Sequence, residues 1–476
     1  MARSKDTVVV DEEVSLSVLQ TIWPAIAACC AVLLFASLVN RFGKTALSVS
    51  MVPIMAAAIW FLQYTDGLST LTNAFLQLDP VSLAVYAALA LSAHLIIGIE
   101  LNNLFTKKKE SPLLLRQSSE RYLSYPKLPE DDDKTAFMMV YDMLKHELIA
   151  ELPVVFEQPD EAVDWIEKMI DYNVTGGKMN RGLVVIGVMR ALAEKKGKKL
   201  TNKELSRACV LGWCIEWLQA FFLVADDIMD DSKTRRGQPC WFRKSEVQMI
   251  AINDSFILES AVFRILKRHF GHDDYYVQIV DIFHEVIYQT ELGQLLDLTS
   301  QPLDGPANFD RFTIERHSLI VKYKTAFYTF YLSTALGMIT SGVTEPGLYE
   351  TAKRICCIIG EYFQIQDDVL DCYGDPETIG KIGTDIQDNK CSWLVVQALD
   401  MANDKERKLL EENYGKDDQS RVQKVKELYK KFGLKEKFDA YEEQSYKDIN
   451  ELLDSVEGLP REIFDLLLGK IYKRSK

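Results

Sequence analysis

The sequence predicts an all-α protein that is preceded by an apolar N-terminal region. Three observations support this organisation. Residues 1–106 are crowded with apolar side chains, residues 107–134 carry prolines and charges without apolar periodicity, and beyond them apolar residues recur at three- to four-residue spacing. Prolines are sparse in the last region, and no alternating strand pattern stands out. We therefore divide the chain into an N-terminal membrane region (1–106), a linker (107–134) and a helical domain (135–476) with about ten or more helices.

The N-terminal region contains three apolar runs, at residues 18–39, 46–64 and 81–101, and each approaches the ~20 residues of a membrane-spanning helix. A signal sequence is disfavoured because the first run begins late and two more follow. Basic residues follow the first and third runs, whereas acidic residues separate the second from the third. The positive-inside rule then predicts about three transmembrane helices, with the helical domain facing the cytosol. The endoplasmic reticulum is the default membrane, and burial of these helices in a soluble domain is the alternative.

The overall composition limits the possible functions. The chain has 476 residues, is 48% hydrophobic and carries a formal net charge of −14. This length allows a large core, and the acidity argues against nucleic-acid binding, which needs a basic face. The nine cysteines show no regular framework, so we expect reduced thiols and a cytosolic helical domain.

Two stretches of the helical domain change abruptly from apolar to acidic. Residues close to four and seven apart share one face of a helix. In the first stretch this face holds Gln219, Phe222, Asp226 and Asp230. In the second it holds Phe363, Gln364, Asp367 and Asp371. Each face therefore combines an amide, an aromatic ring and two carboxylates one turn apart.

Paired carboxylates of this kind suit Mg²⁺, which usually takes one or two carboxylates together with phosphate oxygens of a substrate. An acidic helix end facing water would explain one such cluster, but two clusters of matching form favour a shared site. Two opposed acidic helices would repel each other unless cations lay between them. The sequence thus predicts a Mg²⁺-dependent diphosphate site.

A diphosphate also needs basic residues, and these occur near the acidic clusters. Lys178 and Arg181 lie in the run GGKMNRG, which leads into an apolar helix whose free N–H groups favour phosphate. Taken alone, however, this run is better explained as a basic surface turn. Arg235 and Arg236 follow Asp230 closely, and arginine binds phosphate oxygens in a bidentate manner. The remaining candidates are Lys324 with the Thr325 hydroxyl, Lys381 and Lys390.

These motifs occur in the order found in one family. Residues 135–476 resemble the farnesyl diphosphate synthases, a family of trans-prenyltransferases. The two DDxxD motifs begin at Asp226 and Asp367, and RRG follows the first. The runs GGKMNRG, YQTELGQLLDL, KYKTAFYTFYL and GKIGTDIQDNKCSW and the basic C-terminus IYKRSK also match. The membrane region is a departure from the family.

The resemblance implies an isoprenoid-synthase helical bundle with a central cavity, usually a homodimer, and a role for individual residues. Mg²⁺, usually three ions, would be bound by Asp226, Asp230 and Asp367, with Asp371 nearby. The allylic diphosphate would be held by Arg235, Lys324, Thr325, Gln364, Lys381 and Lys390, in a pocket lined by Gln294 and Asp297. Isopentenyl diphosphate would be held by Lys178, Arg181, Gln219 and Arg236, and Arg474 of the tail would help to close this second site.

The implied reaction is the head-to-tail condensation of isopentenyl diphosphate with dimethylallyl diphosphate and then with geranyl diphosphate. The catalytic groups would be Arg235 and Lys324, which stabilise the departing diphosphate directly, and Asp226, Asp230 and Asp367, which hold the Mg²⁺ that does so. In this family the departing diphosphate is usually taken to accept the final proton, so we name no protein side chain as the general base. His284 and His317 are only weak candidates for that role. Aromatic residues before the first motif, here Phe221 and Phe222, accompany a C15 product.

Three alternatives are weighed against this expectation. A geranylgeranyl diphosphate synthase would carry small residues in place of Phe221 and Phe222. An inactive, membrane-tethered scaffold would have lost an aspartate or arginine of the site, and none is missing. A squalene synthase would need NADPH, and the sequence shows no dinucleotide-binding fingerprint.

Overall fold

The computed structural model describes residues 124–300, 308–375, 378 and 383–474. All of them belong to one compact unit, Leu115–Lys476. The expected membrane spans and residues 107–123 of the expected linker lie outside the described residues. Residues 124–132 were also expected in the linker, but they pack on the domain. Leu128 is only 5% exposed, and the Tyr125 hydroxyl contacts Nδ1 of His269 at 3.1 Å.

The described chain is almost entirely helical, which confirms the predicted all-α class. Its α-helices are α1 (Asp133–Val155), α2 (Asp160–Asn173), α3 (Asn180–Lys195), α4 (Asn202–Met229), α5 (Ile250–Phe270), α6 (Tyr276–Leu298), α7 (Ile314–Ile320), α8 (Leu332–Thr340), α9 (Pro346–Tyr373), α10 (Trp393–Met401), α11 (Asp404–Asn413), α12 (Gln419–Lys431), α13 (Leu434–Asp454) and α14 (Glu462–Ile471). A π-helical segment, Val321–Tyr331, joins α7 to α8, and Trp241–Arg243 and Phe309–Arg311 form 3₁₀ turns. Two short antiparallel strands, β1 (Thr234–Arg235) and β2 (Gln238–Pro239), follow α4.

Helix α4 forms the centre of the domain. Thr201 and Glu204 form a capping box that starts it, since each side chain accepts a hydrogen bond from the other residue's backbone N–H. Among the described residues it is the one helix long and apolar enough to cross a membrane, but 78% of its apolar window is buried inside the domain. Its tryptophans Trp213 and Trp217 are fully buried against neighbouring helices, so α4 is a core helix of this domain.

Glycines allow the helices around the cavity to approach closely. A Cβ atom on Gly182 of α3 would lie 2.8 Å from the carbonyl oxygen of Gly212 on α4. A Cβ atom on Gly293 of α6 would lie 2.1 Å from the backbone nitrogen of Lys324, and one on Gly360 of α9 would lie 2.4 Å from the Cβ of Ala326. Helices α6 and α9 therefore press directly on the π-helical segment, a distortion that often accompanies functional sites.

Candidate active site

Both acidic motifs line the same cavity of about 900 Å³. Asp226 and Asp230 reach it from the C-terminal end of α4, and Asp367 and Asp371 reach it from the last turns of α9. Opposed acidic helices were expected around a shared cavity, and the structure places the four carboxylates in this way. Their binding of metal stays a prediction.

Lysines and carboxylates alternate at the first motif. The Lys324 ammonium lies 3.2 Å from Oδ1 of Asp226 and 2.7 Å from Oδ2 of Asp297. The Lys390 ammonium contacts both oxygens of Asp230 at 2.9 Å and Oδ2 of Asp297 at 3.0 Å. Asp297 thus links the two lysines, and the expected mutual repulsion of the acidic groups is offset by protein cations.

This pairing shifts the proton affinities of the cluster. Burial alone would raise the pKa of Asp226, but the neighbouring Lys324, Arg235 and Lys390 outweigh it and lower that pKa. The same opposition between burial and the two lysines lowers the pKa of Asp297. Burial, together with the charge of Asp226, raises the pKa of Asp230. The cluster therefore holds Asp226 and Asp297 firmly in their charged forms.

Residues predicted for the allylic substrate occupy the same region. Gln294 of α6 donates a hydrogen bond to Oδ1 of Asp226 at 3.0 Å. The Thr325 hydroxyl donates to the side-chain oxygen of Gln364 at 2.9 Å, which joins the π-helical segment to α9. Gln364 in turn donates to Oδ1 of Asp368 at 3.1 Å. Lys381, predicted to lie here as well, falls outside the described residues.

Arg235 lies on the β-hairpin and returns to the first motif. Its guanidinium donates to Oδ1 of Asp227 at 3.1 and 2.5 Å and approaches Oδ2 of Asp226 at 3.4 Å. The turn of the hairpin has positive φ angles at Arg236 (55°) and Gly237 (75°). At the second position glycine adopts this angle without steric cost. Because of this turn, the adjacent Arg235 and Arg236 make separate sets of contacts.

The residues predicted for isopentenyl diphosphate line the same cavity. Lys178, Arg181, Gln219 and Arg236 all line it. Arg181 donates hydrogen bonds to the hydroxyls of Thr329 at 3.1 Å and Tyr328 at 3.0 Å. Arg236 donates to the backbone carbonyls of Asn173 and Thr175, so part of its guanidinium is already fixed.

The second motif meets the C-terminal tail. Arg474 stacks over the ring of Phe363 at 3.9 Å and donates to Oδ1 of Asp367 at 3.1 Å. Asp371 accepts a hydrogen bond from the backbone N–H of Asp385 at 3.1 Å. The tail was expected to close the second-substrate site, and the structure places its arginine on the second acidic motif within the same cavity.

The two phenylalanines expected to set product length lie beside the cavity and are not among its lining residues. Phe221 is 7% exposed and contacts the ring of Phe222 at a centroid distance of 4.9 Å. Phe222 packs edge-on against Tyr328, 5.4 Å away, and Tyr328 does line the cavity. Phe222, predicted to lie on the same helix face as Asp226, therefore contacts the cavity wall through Tyr328.

Sequence reasoning missed several groups around the site. Asp227, the second aspartate of the first DDxxD motif, is the main partner of Arg235. Asp368 accepts from the backbone N–H of Trp393 at 2.7 Å and contacts Nε2 of His317 at 2.8 Å, so this histidine holds a buried carboxylate. Glu216 was also missed, although a single carboxylate within the apolar run WCIEWL is a recognisable signal.

The donor set fits a hard divalent cation. Within the parts of the chain that the structure describes, no three or more His, Cys, Asp or Glu side chains are grouped so that they could hold a metal ion by themselves. The carboxylates instead come in pairs from two helices, and Lys324 shows that Asp226 and Asp297 can share one cation. Mg²⁺ accepts such an arrangement, since phosphate oxygens of a substrate complete its ligand shell.

Comparison with known proteins decides the family. A family model described as polyprenyl synthetase matches residues 163–432. The chain belongs to the polyprenyl synthetase family. A farnesyl diphosphate synthase of Dictyostelium discoideum is 50% identical over 345 residues, which are 71% of this chain and 89% of that protein. A farnesyl pyrophosphate synthase of Saccharomyces cerevisiae is 47% identical over 343 residues, 71% of this chain and 97% of that protein.

Solved structures agree with these polyprenyl synthetase relatives. The T. brucei farnesyl diphosphate synthase complexed with risedronate superposes with a TM-score of 0.67 at 37% identity, and the match covers 72% of this chain and all of that one. The described helices therefore form the isoprenoid-synthase fold. The chain is an enzyme, a prenyltransferase of the farnesyl diphosphate synthase type.

Proposed function

We propose that the enzyme condenses isopentenyl diphosphate with dimethylallyl diphosphate and then with geranyl diphosphate, and releases farnesyl diphosphate. The single observation that carries the proposal is the meeting of both aspartate pairs and the predicted diphosphate-binding cations around one cavity. Relatives about half identical to this chain over nearly their whole length support it. The test is incubation of the purified full-length protein with dimethylallyl and isopentenyl diphosphates and Mg²⁺. A C15 product is expected, whereas no product or a mainly C20 product would overturn the proposal.

Magnesium, three ions in our proposal, would be held by Asp226, Asp230 and Asp367, with Asp371 nearby. When bound, it neutralises the negative charge that develops on the departing diphosphate. Asp226, which stays ionised because of its cationic neighbours, and the paired geometry of the motifs support this assignment. Chelation of divalent ions should therefore abolish turnover.

The allylic diphosphate would be bound by Arg235, Lys324 and Lys390, together with Lys381, which lies outside the described residues. The ammonium groups of Lys324 and Lys390 lie in the cavity beside Asp226, Asp230 and Asp297, so positive charge is already placed close to where the departing diphosphate would develop negative charge. Thr325 and Gln364 would contact the same substrate, and their mutual hydrogen bond fixes their orientation.

The second substrate would be held by Lys178, Arg181, Gln219 and Arg236, so that its double bond faces the allylic carbon. The cation formed there must be kept from water, and Arg474 would help to close the cavity over the bound substrates. The proton lost at the end would pass to the departing diphosphate, and no protein side chain is needed as the base.

Product length provides a prediction that separates this proposal from a geranylgeranyl diphosphate synthase. Replacing Phe222 with alanine removes the ring that packs against Tyr328 at the cavity wall and opens space for a longer hydrocarbon tail. We expect C20 or longer products to become the main products of Phe222→Ala, with a smaller change in Phe221→Ala. Reversed-phase chromatography of the dephosphorylated alcohols measures the distribution. Phe283→Ala, a fully buried phenylalanine of the same core, should lose stability and keep the C15 product.

We also propose that the enzyme is a homodimer. Large apolar side chains are exposed along α5 and α6, and they include Ile252, Phe256, Tyr288 and Leu295. Exposed apolar side chains grouped on neighbouring helices are typical of a protein interface, and the same patch on a second copy would cover them. Sedimentation velocity of the purified enzyme distinguishes the dimer from the monomer.

We further propose that residues 1–106 anchor the enzyme in a membrane, with the endoplasmic reticulum as the default, and that the catalytic domain faces the cytosol. The three apolar runs and the charges between them are the support. Deleting residues 1–110 is expected to move the protein from the membrane fraction to the soluble fraction while the prenyltransferase activity persists. If the truncated protein still sediments with membranes, the anchor proposal is wrong.

A further inference from the structure

A buried carboxylate of α4, Glu216, lies in the wall of the cavity beside Arg181 and Gln219. Glu216 is 2% exposed and stands between the buried tryptophans Trp213 and Trp217. Burial raises the pKa of Glu216, while nearby basic side chains act in the opposite direction. Placing an acidic group in an apolar core is costly unless the group makes specific bonds, so its partners indicate what it does.

One oxygen of Glu216 serves the first turn of α3. The Gly182 N–H donates to Oε1 of Glu216 at 2.9 Å. The N-cap residue of α3, Met179, has left-handed backbone angles and provides no side-chain hydrogen bond to the helix. Glu216 therefore caps α3 from a different helix, and the close crossing of the helices at Gly182 and Gly212 makes this reach possible.

The other oxygen of Glu216 orients an amide. When the oxygen and nitrogen of the Gln219 amide are assigned from the groups around them, the nitrogen donates to Oε2 of Glu216 at 3.1 Å. The amide oxygen of Gln219 then accepts from Nη1 of Arg181 at 2.9 Å. Because the carboxylate can only accept, it leaves the amide one orientation, in which the oxygen faces the guanidinium.

The charges around Glu216 agree with these bonds. Arg181, Arg236 and Lys470 all act on its carboxylate electrostatically. Burial lowers the pKa of Arg236 and of Lys470, and the charge of Glu216 opposes both shifts. The carboxylate thus lies within electrostatic reach of three cations that line the same cavity.

We propose that Glu216 is a positioning residue for the second substrate: it fixes the start of α3 and, through Gln219, the guanidinium of Arg181. Glu216 lines the same cavity, but its two oxygens already accept from the Gly182 N–H and the Gln219 amide, so it acts through these groups and not on the diphosphate itself. This inference rests on the proposed function, because it assigns Arg181 and Gln219 to isopentenyl diphosphate. It extends the site by one residue that the acidic and basic motifs do not contain.

The decisive variant is Glu216→Gln. Its new amide nitrogen cannot accept from Gln219, so either the Gln219 amide turns its own nitrogen towards Arg181 or the link is lost. We expect KM for isopentenyl diphosphate to rise about tenfold, the range of one lost charge-assisted hydrogen bond, while KM for geranyl diphosphate stays within about twofold. Initial-rate kinetics with each substrate varied in turn measure this split. Asp254→Asn is the matched control, because it removes the charge of another buried carboxylate, which accepts hydrogen bonds from the indole N–H groups of Trp165 and Trp241. It should change neither constant.

A double-mutant cycle completes the test. If Glu216 acts through Gln219, the effects of Glu216→Gln and Gln219→Leu on this KM should be less than additive. Should Glu216→Gln fail to fold, Glu216→Asp, whose shorter side chain cannot reach both partners, takes its place with the same expectation. Equal changes in both KM values, or full additivity in the cycle, would overturn the inference. Failure of the wild-type enzyme to use isopentenyl diphosphate would instead contradict the proposed function.

Discussion

Asp226→Asn is expected to lower the turnover number about 10³-fold, since removing one group that stabilises charge in the transition state typically costs two to three orders of magnitude. Asp226 is bonded to Lys324 and Gln294 and approached by Arg235, so its carboxylate lies beside two of the cations proposed for the allylic diphosphate. Asparagine keeps the shape but removes the charge that a divalent ion needs. Steady-state rates with geranyl and isopentenyl diphosphates at saturating Mg²⁺ measure the loss.

The variant should remain folded, because Lys324 keeps its 2.7 Å contact with Asp297 after Asp226 is neutralised. Asp231→Asn is the matched control: it belongs to the same acidic run, but its side chain is 81% exposed and paired with Arg243. Its turnover should stay within about threefold of wild type, as is usual for exposed substitutions. An Asp226→Asn enzyme that turns over at the wild-type rate would remove the first motif from the mechanism.

The parts of this site that follow helical spacing could be predicted from the sequence. Asp226 and Asp230, or Gln364 and Asp367, lie on one helix face because the geometry of an α-helix is fixed by the backbone alone. The order of the two motifs and the composition around them then indicate a shared cavity. Long apolar runs similarly predicted α4 and α9, since a helix that buries a wide face needs apolar residues at regular spacing.

The remaining features depend on contacts between segments far apart in the chain. The hairpin that carries Arg235 has strands of two residues each, which are too short to give an alternating pattern. The bridge from Asp297 to Lys324 and Lys390 joins α6, the π-helical segment and the loop before α10, and no local pattern encodes it. Glu216 is an intermediate case. Its position in an apolar run predicts that the carboxylate is buried and hydrogen-bonded, but its partner Gly182 can be identified only from the packing of α3 against α4.

Replacing Arg235 with leucine should have two large effects at once. The Asp227 side chain is 5% exposed and receives two hydrogen bonds from Arg235, so the substitution leaves a buried carboxylate without its main partner. Breaking a buried ion pair in this way costs about 3–5 kcal/mol of the free energy of unfolding. Turnover should fall about 10²-fold, because a guanidinium proposed to face the allylic diphosphate is lost. Urea denaturation and steady-state kinetics measure the two effects separately.

The double variant Asp227→Asn/Arg235→Leu separates folding from catalysis. Neutralising Asp227 removes the uncompensated charge, so most of the lost stability should return, since a buried pair costs little when both charges are removed together. The turnover number should stay about 10²-fold below wild type, because the cation near Asp226 is still missing. Arg235→Lys should recover little of either property, since an ammonium lacks the planar fork that bonds Asp227 twice while approaching Asp226. If the double variant instead regains activity together with stability, Arg235 serves only the fold of the hairpin, and the allylic diphosphate must be held by the lysines alone.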